Sequence, residues 1–150
     1  LNFQDLQDLT LRQETVGNAA SQVSLLPEIR QFLTGYMRRF CQDISEPYQG
    51  VILDGRDIGT VVCPDAHIKL FITADPQVRA QRRQLEMEKV GISYQADLAK
   101  ITERDQRDQT RAQAPLKMAE DAHLIDTTHL TVEEACAIAA DFIEGFLHKA

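Results

Sequence analysis

Cysteine and histidine are scarce in this 150-residue sequence, and neither falls into a pattern that binds metal or forms a disulfide framework. The three cysteines, Cys41, Cys63 and Cys136, are far apart and include no CxxC pair, so we expect reduced thiols that serve mainly for packing. The four histidines have no HExxH or similar spacing, and no metal site built from them is expected. This cysteine usage indicates a cytoplasmic protein.

The sequence also lacks a long apolar run and an excess of positive charge. No segment resembles a membrane span or a signal peptide, so no membrane association is expected. The 16 basic residues are outnumbered by 23 acidic ones, which gives a net charge of -7. Nucleic acids and anionic membranes are generally bound by basic surfaces, and neither is expected as a partner. The first residue is Leu rather than Met, and we expect the chain to be a fragment of a longer protein.

Strand and helix patterns alternate along the chain, and 43% of its residues are hydrophobic, enough for one globular domain. Short apolar runs predict strands at 51–53, 67–73 and 123–128. Apolar residues at helical spacing, with capping residues at their ends, predict helices at 15–22, 27 to about 40, 76 to about 90, 93 to about 112, and 132 to about 147. The alternation predicts an α/β fold with a parallel sheet flanked by helices.

The two helices expected between the second and third strands are too polar for ordinary crossovers. They carry most of the arginines, and two groups each share one helical face: Arg79, Arg82 and Arg83, then Arg104, Arg107, Asp108 and Arg111. Clustered guanidinium groups repel one another unless an anion neutralises them, and arginine binds phosphate bidentately. A phosphate-binding lid and a solvated helix with acidic partners remain equally open on composition and spacing alone.

A charged segment follows the first predicted strand, Val51–Leu53. It consists of Asp54, Gly55, Arg56 and Asp57 and is called the DGRD segment below. Ligands of open α/β sheets bind beyond the carboxyl ends of the strands, so charges at this place favour a binding site. A solvated turn is the alternative.

Four ordered motifs resemble those of bacterial cytidylate kinases, and their order and spacing agree over essentially the whole chain. The motifs are Leu53–Val62 followed by Pro64-Asp65-Ala66, Arg104–Arg111 followed by Ala114-Pro115-Leu116, Asn18–Val23 leading to Pro27 and Arg30, and Ile125-Asp126-Thr127. The resemblance implies a P-loop nucleoside monophosphate kinase fold that transfers the γ-phosphate of ATP to CMP or dCMP with Mg²⁺. It also implies a monomer at full length.

The resemblance also assigns roles to individual residues. Ser21, Arg30 and Asp57 would face cytosine. A carboxylate such as Asp57 can accept a hydrogen bond from the exocyclic amine that uracil lacks. Arg104 and Asp108 would bind the sugar hydroxyls, and Arg56 and Arg111 would bind the acceptor phosphate. Arg107, with Arg79, Arg82 and Arg83, would serve the lid and the donor phosphates. Asp54 would orient Arg56 or the waters bound to Mg²⁺. Arg56, Arg107 and Arg111 would be the catalytic residues.

One family feature is missing. The pattern G-x-x-x-x-G-K-[ST], which cradles ATP phosphates, occurs nowhere in the sequence. In the family this loop follows a first strand that lies centrally in the sheet, between those represented here by 51–53 and 68–73. We therefore expect a chain without its N-terminal strand and P-loop, and inactive when isolated.

The resemblance also divides the chain. Residues 1–50 would form part of the nucleoside monophosphate-binding region and the helix that follows. Residues 51–150 would supply core strands, lid helices at about 76–112 and a C-terminal helix. The alternatives are a non-catalytic nucleotide-binding fragment of the same family and an unrelated acidic interaction protein with an arginine-rich helix.

Overall fold

The computed structural model describes residues 11, 14–44, 46–89, 91 and 97–148. Helices alternate with two short strands in this part of the chain. The elements are α1 (Glu14–Val23), α2 (Pro27–Gln42), β1 (Leu70–Thr73), α3 (Pro76–Lys89), α4 (Leu98–Thr110), β2 (His123–Asp126) and α5 (Val132–Leu147). No helix among the described residues is long and apolar enough to cross a membrane.

Strands β1 and β2 pair in parallel, with Leu70 opposite His123 and Thr73 opposite Asp126. Helices α3 and α4 lie in the connection between the two strands, which is the crossover that parallel pairing requires. The predicted α/β fold with a parallel sheet flanked by helices is therefore confirmed. A stacked ring pair, His123 and Phe142 with centroids 4.1 Å apart, joins β2 to α5.

Local end signals account for several helix boundaries. Pro27 occupies the first turn of α2, and Thr131 forms a capping box with Glu134 at the start of α5. Asp75 Oδ1 accepts a hydrogen bond from the backbone N–H of Gln77 at 2.7 Å, which caps α3. Gly91, with φ of 75°, follows that helix in the left-handed conformation that glycine adopts readily.

The strand predicted at 51–53 is absent from the structure. The segment Val51–Leu53 has no regular secondary structure, and the side chain of Ile52 is 94% exposed. A strand needs a hydrogen-bonded neighbour, and among the described residues the sheet consists of β1 and β2 alone. Helix α4 starts at Leu98 and is capped by Asp97, whose carboxylate accepts from the backbone N–H groups of Ala99 and Lys100; the predicted start at residue 93 lies outside the described residues.

The core of the described structure is small, and several apolar stripes predicted to be buried are open. Its buried apolar residues are Val62, Ala74, Ala80, Met87 and Ile125, of which only Val62 and Met87 are fully buried. The stripe of α2 has no buried member, and Val132, the first residue of α5, is 74% exposed. Amphipathic periodicity predicts which face of a helix is apolar, whereas burial also requires an element to cover that face.

Arg82 of α3 connects the helix to the loop after β2. Its guanidinium donates to Thr127 Oγ1 at 2.9 Å, to the Thr127 carbonyl at 2.6 Å and to the Leu130 carbonyl at 3.0 Å. Thr127, which is buried, also donates through its hydroxyl to the Thr73 carbonyl at 3.0 Å. These contacts join α3 to the ends of both strands.

We expect Arg82→Ala to lower the free energy of unfolding by about 1–2 kcal/mol, because hydrogen bonds to a charged donor contribute more than neutral ones. Urea denaturation followed by circular dichroism would measure the change. Arg39→Ala, at an exposed position of α2, is the matched control and should change the unfolding free energy by much less. Equal effects from the two substitutions would contradict the structural role of Arg82.

Candidate functional site

A charged cleft of about 190 Å³ lies where α1 and α4 meet the DGRD segment. Its lining residues are Ala20, Ser21, Ser24, Arg30, Arg56, Asp57, Arg104, Asp108 and Arg111. Four arginines and two aspartates give the charged cleft a formal charge of +2, although the whole chain carries -7. This local charge suits a small anion of charge near -2.

A larger hollow of about 260 Å³ adjoins the charged cleft and shares Ser24 and Arg111 with it. Its other lining residues are uncharged: Leu25, Pro27, Ala112 and Gln113. We place the functional site in the charged cleft despite its smaller volume, because chemistry with anionic ligands requires the convergent charges found there.

Asp57 is held by Arg30 at one side of the cleft. Arg30 Nη1 donates to Asp57 Oδ2 at 2.7 Å, and Arg30 Nε donates to the Ser24 carbonyl at 3.0 Å. Asp57 is only 8% exposed. Its second oxygen, Oδ1, lies 3.7 Å from Arg111 Nη2, which is beyond hydrogen-bond distance, so lone pairs remain for a ligand donor.

Arg111 is a buried cation of the cleft, with its side chain 5% exposed. Its Nη1 lies 3.7 Å from Asp108 Oδ1, and Arg56 Nε lies 3.6 Å from the other oxygen of Asp108. Burial, followed by the neighbouring charge of Arg30, lowers the pKa of Arg111 below its usual value. Arg111 Nη2 is buried without a hydrogen-bond partner among the described residues, so it can donate to an incoming anion.

A tight turn after α4 fixes the position of Arg111. Its Nε donates to the Ala114 carbonyl at 2.6 Å, and the Leu116 N–H donates to the Asp108 carbonyl at 2.7 Å. Ala114 has φ of 50°, a left-handed conformation that is strained for a residue with a Cβ. Strain held by these two hydrogen bonds indicates a turn shaped for the site.

Arg104 and Arg107 project from α4 toward α1. Arg104 Nε is buried without a partner among the described residues, and a Cβ added at Gly17 would come within 3.3 Å of Arg104 Nη1. Arg107 Nη1 lies 3.5 Å from Ser21 Oγ, at the limit of a hydrogen bond, while Nη2 donates to Glu103 at 2.8 Å. The contact with Glu103 is the kind expected of a solvated helix.

Asp54 and the α3 arginines lie elsewhere. Asp54 is exposed and is not among the cleft residues. Arg79 forms an ion pair with Asp105, Arg82 binds the loop after β2, and Arg83 pairs with Glu86 at 2.8 Å. In this arrangement the α3 arginines serve contacts within the protein, and none reaches the charged cleft.

Arg38, which belongs to none of the motifs, supports the segment after Asp57. Residues Ile58–Val62 form a π-helical turn that starts directly after Asp57. Arg38 donates from Nη2 to the Val61 carbonyl at 2.5 Å and from Nε to the Val62 carbonyl at 3.0 Å. Helix α2 thus holds the turn at both ends, through Arg30 and Arg38. The only signal in the sequence is a second arginine eight residues after the first.

The described residues contain no group of three His, Cys, Asp or Glu side chains that could hold a metal ion. The carboxylates of the cleft, Asp57 and Asp108, instead face guanidinium groups. Rigid donors with unsatisfied N–H groups can neutralise and orient a phosphate, which is the chief requirement of phosphoryl transfer.

Comparison with known proteins gives a consistent result. Residues 1–145 match the family model described as cytidylate kinase. The chain is 47% identical over 147 residues to a cytidylate kinase of Rhodopseudomonas palustris (strain BisA53), which covers 97% of this chain and 68% of the relative. It is 50% identical over 136 residues to a cytidylate kinase of Bradyrhizobium sp. (strain ORS 278), and this match covers 89% of this chain and 62% of the relative. A cytidylate kinase of Azorhizobium caulinodans is 48% identical over 146 residues, and this match covers 96% of this chain and 69% of the relative. The chain therefore spans about two thirds of the length of these relatives.

Inorganic phosphate should raise the melting temperature of the protein, because a ligand that binds only the folded state stabilises it. Arg111→Ala should abolish most of this shift, whereas Arg39→Ala should retain it. Differential scanning fluorimetry in phosphate and in chloride of equal ionic strength would measure the effect. A shift of the same size in chloride, or in Arg111→Ala, would mean general electrostatics rather than a site.

Proposed function

The chain belongs to the cytidylate kinase family, and from this premise we propose that it supplies the CMP-binding and lid part of an enzyme that transfers the γ-phosphate of ATP to CMP or dCMP. We also propose that this enzyme is a cytoplasmic monomer and that it acts in pyrimidine nucleotide metabolism.

The main support for this proposal is the set of residues that line the charged cleft. Residues from three distant segments line a single cleft: Ser21 and Arg30, Arg56 and Asp57, and Arg104, Asp108 and Arg111. These are seven of the twelve residues assigned from the resemblance, and the three α3 arginines are not among them. Arg107 contacts Ser21 at the edge of the cleft, and Asp54 lies outside it.

In the proposed complex, cytosine lies near Ser21, Arg30 and Asp57. The hydrogen bond from Arg30 to Oδ2 orients Asp57, and Oδ1 would accept a hydrogen bond from the exocyclic amine of cytosine. Uracil presents a carbonyl oxygen at that position, which a buried carboxylate would repel. The base choice of the enzyme would therefore depend on Asp57.

The sugar and phosphate of CMP would lie along α4. Arg104 and Asp108 would bind the sugar hydroxyls, and Arg56 and Arg111 would bind the acceptor phosphate. Arg56 and Arg111 both face the Asp108 carboxylate at 3.6–3.7 Å, which limits their mutual repulsion before a ligand arrives. A phosphate monoester would then complete the neutralisation of the cleft.

No side chain is needed as nucleophile, because the attacking oxygen belongs to the CMP phosphate. Catalysis then rests on positioning and on neutralising charge that is spread over the phosphoryl oxygens. Arg56 and Arg111 would hold the acceptor, and Arg107 would act on the donor side. Its weak contact with Ser21 and its exposed partner Glu103 leave it able to reorient.

Mg²⁺ would enter with the ATP phosphates, which supply most of its ligands in enzymes of this chemistry. The described residues do not form a metal site of their own, since no group of three candidate ligands is present among them. Asp54 is the exposed carboxylate suited to contact metal-bound water. No step of the proposal depends on the ion.

A nucleotide-binding fragment without catalysis is the second candidate. The absence of G-x-x-x-x-G-K-[ST] from the 150 residues favours it for the chain in isolation. Thermal-shift measurements with CMP, alongside an ADP-release assay, separate the candidates when both are made on the intact protein rather than on residues 1–150 alone. Binding with turnover supports the kinase, binding without turnover supports the fragment, and no binding contradicts both.

Asp57→Ala in the intact enzyme should narrow the preference for CMP over UMP. An unpaired buried polar group costs about 1–3 kcal/mol, so the ratio of kcat/KM values should fall roughly tenfold or more. Steady-state kinetics with both nucleotides would measure it. Asp65→Ala, an exposed carboxylate of a nearby loop, is the control and should keep the ratio. An unchanged ratio in Asp57→Ala would refute its assignment to the base.

Residues 1–150 alone should show no measurable CMP phosphorylation with ATP. No lysine follows a glycine anywhere in the sequence, so nothing here resembles the loop that aligns the β- and γ-phosphates. A coupled ADP-release assay on purified 1–150, beside the intact protein, would test this. Turnover near that of the intact protein would show that the donor site lies within these residues.

A further inference from the structure

Two cysteines that are distant in the sequence meet beside the π-helical turn. Cys41 lies in the last turn of α2, and Cys63 directly follows Ile58–Val62. Their Sγ atoms are 3.3 Å apart, with one thiol donating to the other, and both residues are half-buried. The pair arises through folding, because 22 positions separate the two residues. The third cysteine, Cys136, is exposed on α5.

The backbone on both sides of the cysteine pair is held in place. Arg38, three residues before Cys41, donates to the carbonyls of Val61 and Val62. The N–H of Cys63 donates to the Ile58 carbonyl at 2.7 Å. A disulfide has an S–S distance of about 2.05 Å, so closure requires the two sulfurs to approach by a little more than 1 Å. Rotation of the cysteine side chains can supply much of this movement.

We propose that Cys41 and Cys63 form a dithiol modification site that reacts with small-molecule disulfides and closes to an intramolecular disulfide. The proposal is independent of the proposed kinase activity. It adds a reaction to the expectation of reduced thiols that serve mainly for packing, and it singles out one pair among the three thiols.

The reaction is a two-step thiol–disulfide exchange. The thiolate of one cysteine attacks a sulfur of the oxidant, whose S–S bond breaks and releases one small thiolate. The thiolate of the second cysteine attacks the protein sulfur of the mixed disulfide and releases the second small thiolate. The two cysteine protons end on the released thiols, and two electrons pass from the cysteine pair to the oxidant.

The reduced pair is the resting state. Burial, followed by the hydrogen bond with Cys41, raises the pKa of Cys63 to about 11, while the positive charge of Arg38 acts in the opposite direction. Little Cys63 thiolate therefore exists at neutral pH, so closure needs an excess of oxidant and proceeds slowly. Rapid closure is not required of a site that responds to sustained oxidation.

Closure would join α2 covalently to the end of the turn that begins after Asp57. Arg30 of the same helix already holds the Asp57 carboxylate at the other end of that turn. The cross-link would restrict the unfolded chain between residues 41 and 63 without separating Arg30 from Asp57. The oxidised protein should therefore melt at a higher temperature than the reduced protein.

The test exposes the reduced, intact protein to glutathione buffers of increasing oxidised fraction at pH 8. Remaining thiols are alkylated and peptides are mapped by mass spectrometry. We expect loss of the Cys41 and Cys63 thiols together, a peptide cross-linked between them, and an alkylated Cys136. The melting temperature should rise on oxidation and return on addition of dithiothreitol.

Two variants control the assignment. Cys136→Ser should close as the wild type does, whereas Cys63→Ser should form no intramolecular cross-link and should carry at most glutathione at Cys41. The proposal is overturned if the folded wild type keeps both thiols in excess oxidised glutathione. It is also overturned if glutathione stays attached without closure, or if the cross-link involves Cys136.

Discussion

Alternating charge is the constraint on which the candidate site depends. Arg30, Asp57, Arg111, Asp108 and Arg56 follow one another across the cleft, with successive contacts of 2.7, 3.7, 3.7 and 3.6 Å. Only the first is a direct hydrogen bond. At the longer distances each carboxylate lowers the repulsion between two guanidinium groups while leaving their N–H donors open. Buried ionic groups are weak evidence for stability, because their desolvation offsets most of the attraction. The arrangement is better explained by a ligand that the open donors would bind.

Elements defined by local chemistry could be predicted from the sequence, whereas elements defined by distant partners could not. Pro27, the Thr131 capping box and Gly91 specify helix ends through backbone geometry and short-range hydrogen bonds, and the helices predicted from 27, 76 and 132 are confirmed. The strand predicted at Val51–Leu53 is wrong because an apolar run becomes a strand only beside a neighbour. The same limit applies to the α2 stripe, where the apolar face is present and its cover is not among the described residues.

The candidate site shows the same division. Motif spacing was enough to select residues that the fold brings together from α1, α2, the DGRD segment and α4. It could not show that Arg82 binds Thr127 and Leu130, or that Arg38 binds the carbonyls of the π-helical turn. Backbone carbonyls are present at every residue, so such contacts leave no pattern in the sequence. Arginine clusters therefore predict where anions could bind, and coordinates are needed to separate binding arginines from structural ones.

The charges and the backbone of the cleft have an energetic consequence. Arg111 is desolvated beside another cation, its Nη2 lacks a partner among the described residues, and its turn contains the strained Ala114. Each feature raises the free energy of the empty site. A bound phosphate would satisfy the free donors and reduce the repulsion, so part of its binding energy would appear as stability of the folded chain. Preorganised donors also need little rearrangement during transfer, which is the property that phosphoryl transfer demands. The same strain that makes the empty cleft unfavourable would therefore make it effective once occupied.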